Sequence, residues 1–127
     1  VPARLFYEYA VIRVVPRVER GELINAGVVL YCLERDFLEA AVRLDAARLR
    51  ALAPDVDIGL VEQHLEAVPR ICAGGPGAGQ LASLSTKERW HWLIAPRSAV
   101  VQLSPVHAGL CLDPAPELER LMKVMVE

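Results

Sequence analysis

Apolar and polar positions along this chain change period from two to nearly four about a third of the way along. In YEYAVIRVVP (residues 7–16), Ala10, Ile12 and Val14 fall on one side of an extended backbone. Tyr7, Tyr9, Val11 and Val15 fall on the other, so the pattern predicts a strand covered on both faces. Arg13 is the exception, a charge on the side of Tyr9, Val11 and Val15, and Pro16 closes the strand because it has no amide to give a ladder. INAGVVLYC (24–32) reads as a second strand, joined to the first by a loop turning at Gly21. Gly27 inside it predicts a bulge or the close approach of another backbone, and plain alternation groups Asn25 with Gly27, Val29 and Tyr31. FLEAAVRL (37–44) sends Leu38, Ala40, Val42 and Leu44 one way and Glu39 and Arg43 the other, which predicts a third antiparallel strand, although Ala40 and Ala41 also suit a helix.

Helical spacing then takes over. Asp45 caps AARLRAL, and Pro54 stops it. Asp57 caps a longer helix whose Ile58, Val61, Leu65, Val68 and Cys72 form one apolar stripe; Pro69 predicts a kink or an ending near Val68. AGGPGAGQ (73–80) reads as a flexible connector. Ser85 and Glu88 have capping-box spacing ahead of a helix carrying Trp90, Leu93 and Ile94, which stops before Pro96. Asp113 and Pro114 open a terminal amphipathic helix with Leu118, Leu121, Met122 and Met125.

Between the last two helices lies APRSAVVQLSPVHAGL (95–110), a strand with Ser98, Val100, Gln102 and Ser104 on one face and Ala99, Val101 and Leu103 on the other. The order β-β-β-α-α-α-β-α predicts a single α+β domain, an antiparallel sheet of about four strands with helices packed on it. The late strand can join an edge or insert beside the first strand; the pattern allows both.

The 127 residues suit one core, and an apolar share of 54% fits a sheet covered on both faces or an apolar surface kept for a partner. Fourteen Lys and Arg against sixteen Asp and Glu give a net charge of −2, which disfavours nucleic-acid binding. Three cysteines far apart in sequence, Cys32, Cys72 and Cys111, suit buried thiols in a reducing compartment better than a disulfide framework. Glu8 and Arg13 interrupt the N-terminal apolar stretch, so no signal peptide or membrane span is read and a cytoplasmic protein is expected.

AGGPGAGQ ends in Gln80 where a phosphate loop needs Gly-Lys-Ser/Thr, and it follows a helix, so nucleotide binding is excluded there. His64, His91 and His107 have no metal-ligand spacing; no metal and no cofactor is expected. Trp90 and Trp92 lie about 100° apart per residue step on a helix, so one faces outward as an interface anchor. Arg13 needs a counter-charge, either an internal carboxylate or an anionic ligand. Around it, Arg13, Arg17, Asn25, Arg97, Gln102, Ser104 and His107 form the candidate ligand-binding set, with arginine gripping carboxylate or phosphate and Gln102 and Ser104 fixing orientation.

The leading reading is an accessory module recognising a protein partner or a small anionic ligand. The alternative is a small hydrolase or transferase acting on phosphate or acyl groups, with His107 as general base. No GxSxG elbow or acidic third member accompanies Ser104 and His107. A structural subunit with an apolar patch around a tryptophan is a third reading, and a homodimer is left open.

YEYAVIRVVPRVERGELINAGVVLY, LDAARLRAL, STKERWHWLIAPRSAVVQLSPVH and GLCLDP together resemble a bacterial family of short proteins catalogued as a domain of unknown function. The resemblance spans about residues 7–121, with ERGELINAG and APRSAVVQLSPVH as its specific parts. It carries no catalytic residue over. It implies, as a partner, a kinase-like protein related to the toxin kinases of toxin–antitoxin pairs, encoded beside some members.

Overall fold

The structure is a computed structural model and describes residues 3–97 and 99–127. The elements follow as β1 (Leu5–Val14), β2 (Ile24–Cys32), β3 (Phe37–Val42), α1 (Ala46–Leu52), α2 (Ile58–Ala73), α3 (Thr86–Ile94), β4 (Val101–Leu103), β5 (His107–Cys111) and α4 (Pro114–Met125). This is the α+β arrangement expected, with five strands among the described residues because the late strand divides in two. All pairings are antiparallel. The order is β3-β2-β1, and β4 and β5 share the far side of β1 end to end. The late strand therefore lies beside the first.

Alternation in β1 sorts the core into two clusters. Ala10, Ile12 and Val14 meet α1, α2 and α3 through Leu49, Val61, Leu65, Val68, Trp90 and Leu93. Leu5 and Tyr7 meet α4 through Leu118, Leu121 and Met122. Each side of the sheet thus stabilises the fold by removing apolar area from water, at about 25 cal/mol per Å2. Ser98, assigned to the polar face of the late strand by its pattern, lies outside the described residues.

Three expectations need correction. The helix does not stop or end near Val68: α2 runs on through Pro69 to Ala73, and Val68 and Cys72 are buried on either side of the proline. Burial of the second half of the stripe outweighs one lost amide donor. Residues 73–80 are not a loose connector: Gly75–Ser83 form 3-10 turns packed on α2, with Ala78 buried. Lastly, Asn25 does not share a face with Val29 and Tyr31. The β1–β2 register shifts between Ile12 and Arg13, so Ala26 is skipped and Arg13 pairs with Asn25. Gly27 sits where β2 meets Ala41 so closely that a Cβ would overlap the Ala41 carbonyl oxygen. Bulge and close approach coincide at one glycine.

The division of the late strand is held by Ser104. Its amide donates to the Val11 carbonyl at 2.8 Å, while its hydroxyl accepts from the Val11 amide at 2.8 Å and donates to the Pro105 carbonyl at 2.9 Å. The side chain thus takes the place of a ladder carbonyl where the chain breaks, and Ser104 is only 4% exposed. Ser104→Ala leaves a buried Val11 amide without an acceptor and is expected to cost about 1–3 kcal/mol. Urea denaturation checks this; a wild-type midpoint would refute the assignment.

Candidate functional site

The α4 side of the sheet is only partly covered. α4 lies chiefly over β2 and β3, leaving a strip across β1, β4 and β5 on which Tyr9, Arg13 and Gln102 are half-buried and His107 is exposed, while Val11 between them is buried. On that strip the bulge and the Ser104 break set four of the predicted residues. Arg13 pairs with Asn25 on one side and with Gln102 on the other, so the three form a row across β2, β1 and β4. His107 pairs with Tyr9, four residues from Arg13 along β1, and the two rings lie 5.4 Å apart between centroids.

The row is not uniformly available. Asn25 donates to the Met125 carbonyl at 3.0 Å, tying the end of α4 to β2. Gln102 donates to the Ala99 carbonyl at 2.6 Å. Arg13 is half-buried, its Nε is enclosed without an acceptor, and among the described residues no carboxylate lies within 4 Å of it. Of the two partners expected for Arg13, an internal carboxylate is therefore absent among the described residues.

The remaining predicted residues lie elsewhere. Arg17 is exposed and paired with Glu19 at 3.0 Å. Arg97 stacks on Trp92, with its Cζ 4.2 Å from the ring centroid, and donates to the Trp92 carbonyl at 2.5 Å. Trp92 is 40% exposed whereas Trp90 is fully buried against Tyr31, so one tryptophan does face outward. Arg97 and Gln102 meet across a shallow hollow of about 480 Å3. Ser104 is taken up in the strand break, and no hydrogen bond joins it to His107 among the described residues, so the two do not form a nucleophile–base pair.

Sequence patterning did not single out Arg89. It is 9% exposed, donates to the Leu84 carbonyl at 2.7 Å and the Cys72 carbonyl at 3.3 Å, and keeps an enclosed Nε without an acceptor. Its position four residues before Leu93 puts it on the apolar stripe of α3, a signal that the charged run Lys87-Glu88-Arg89 hides. Cys72 beside it is held as a thiol, since burial pushes its pKa up to about 12. Cys32, Cys72 and Cys111 are all buried and unbridged. Among the described residues no helix is long and apolar enough to cross a membrane.

The chain is a member of DUF3037, described as a protein of unknown function, whose model matches residues 9–126. The DUF3037 span includes Tyr9, Arg13, Asn25, Arg89, Gln102 and His107. No curated protein and no solved structure matches the chain.

At the covered end of the same face, Tyr7 donates a hydrogen bond to Glu117, which also accepts two from Arg120 at 2.9 and 2.8 Å. Gly109 opposite Tyr7 leaves room for the ring, as an added Cβ would stand 2.7 Å from the phenol oxygen. Burial first, and then the Glu117 hydrogen bond, pushes the Tyr7 phenol up to about 12 from 10.0. Arg120 holds the Glu117 carboxyl below its ordinary 4.5. A raised tyrosine pKa stabilises the fold below pH 10, and that contribution is lost as pH climbs from 10 to about 12. The depressed carboxyl stabilises above 4.5, and its share is lost as pH falls through the folded value. Tyr7→Phe is expected to flatten the alkaline loss measured by urea midpoints across pH; an unchanged alkaline slope would contradict the assignment.

Proposed function

We propose that this chain is a binding module that recognises a protein partner through the open strip of its sheet, with Arg13 receiving a carboxylate or phosphate of that partner. One observation carries the reading: Arg13 keeps an enclosed Nε without an acceptor and has no carboxylate within 4 Å among the described residues. A half-buried guanidinium loses hydration and here recovers no ion pair, a cost that an incoming anion would offset. The neighbours suit recognition. Asn25 and Gln102 flank the guanidinium in register, and further along β1 Tyr9 meets His107 of β5, the two rings tilted against each other. Arginine beside aromatic side chains is a combination enriched in protein interfaces.

The test uses Arg13→Gln, which removes charge but keeps an amide. Wild type and variant are screened against an array of acidic and phosphorylated peptides, and by thermal shift with inorganic phosphate. The expected result is peptide binding weakened at least tenfold by Arg13→Gln, with an unfolding midpoint equal to or above wild type. A thermal shift with phosphate alone, without peptide binding, would assign a small-anion site instead. Binding indifferent to Arg13→Gln would overturn the proposal.

A further inference from the structure

The second unmatched guanidinium lies on the opposite side of the sheet, at its other edge. Among the described residues β3 has one strand neighbour, β2, so its outer side offers backbone amides and carbonyls to a further strand. Alongside it runs a cavity of about 580 Å3, with residues 35–40 as one wall and Cys72, Thr86 and Arg89 in the other. Arg89 is fixed within this wall by the Leu84 and Cys72 carbonyls, and Gly74 packs so near that a Cβ there would sit 3.1 Å from the guanidinium carbon. The side chain is therefore preorganised. Two carbonyl acceptors leave part of its five-donor fork unspent, and among the described residues no carboxylate lies within 4 Å.

The lining carries both signs. Arg35 and Arg89 stand with Asp36 and Glu39, so a multiply charged phosphate would meet two carboxylates as well as two guanidiniums. A chain that is neutral along its backbone and bears one carboxylate fits that distribution better. We propose that this groove takes an extended peptide, which adds as a strand along β3 and sets a carboxylate on Arg89. The peptide backbone supplies affinity through ladder hydrogen bonds, and the guanidinium fork reads the carboxylate. At about 3.3 Å per residue, the six residues of β3 match a peptide of about six residues. This site goes beyond the Arg13 strip and is independent of it.

The test selects hexapeptides from a displayed random library against the full chain and remakes the winners with a free or amidated C-terminus, and with Asp and Glu replaced by Asn and Gln. Neutralising the carboxylate, terminal or side-chain, is expected to weaken binding at least tenfold; which replacement does so identifies its source. Arg89→Lys, which keeps the charge but loses the fork, is expected to weaken binding at least fivefold, while Arg13→Gln leaves it unchanged. Amide shift changes in the wild-type NMR spectrum should concentrate at residues 35–40 and 84–89, a readout that stands even if the Arg89 variant folds poorly. Failure to select any hexapeptide, shift changes confined to the Arg13 strip, or affinity indifferent to the carboxylate would overturn the proposal.

Discussion

Val11 sits midway along the central strand, opposite the place where its outer neighbour breaks, and both of its backbone groups need partners there. Ser104 satisfies both, the carbonyl through its amide and the amide through its hydroxyl. Without the hydroxyl a break at this point would leave a buried amide unsatisfied, a cost comparable to a good part of a small domain's net stability. With it, β4 and β5 can follow β1 as separate segments, each in its own register. That is what sets Gln102 against Arg13 and His107 against Tyr9. The open strip exists because a side chain stands in for a carbonyl.

The other half of the strip depends on Gly27. A strand with strict alternation would carry Asn25 to the α2 side, among Ile24's neighbours in the larger cluster, where its amide would be enclosed by apolar side chains. The extra residue in β2 turns it over. Asn25 then reaches the Met125 carbonyl and anchors the last turn of α4 over β2, with Arg43 and Glu127 paired nearby at 3.3 Å. The exposed ion pair adds little by itself. Its geometry agrees with the hydrogen bond, and both keep the helix end over β2 and β3 rather than over Arg13.

The fold was legible wherever one local period held along an element. β1 showed both of its faces and the anomaly of Arg13, and the caps at Asp45, Asp57, Ser85 and Asp113 all accept from backbone amides. What stayed hidden depends on contacts between segments distant in the chain. A bulge reverses every face assignment beyond it, so plain alternation puts Asn25 on the wrong face although Gly27 marks the place. Ser104 read as a ligand group because its polarity shows in the sequence while the Val11 amide it serves does not. Arg17 and Arg97 read as ligand grips, yet each finds a nearby partner, Glu19 for one and the Trp92 ring for the other. Arg89 was obscured by charged neighbours.

Arg13 and Arg89 share an imbalance but differ in how the fold bears it. The Arg89 guanidinium reaches from α3 to the C-terminal end of α2 and donates to the Cys72 carbonyl of that last turn, where the helix dipole places partial negative charge. It also bonds Leu84, so the guanidinium joins α2, the 3-10 segment and the start of α3, and its removal would loosen all three. Arg13 has no comparable support, since its flanking amides are spent on other carbonyls. A charge that finds no acceptor among the described residues and loses hydration by being there contributes little to folding. The same deficit therefore has unequal meaning: Arg89 offsets its enclosure by joining three segments of the fold, whereas Arg13 is left for the anion proposed above.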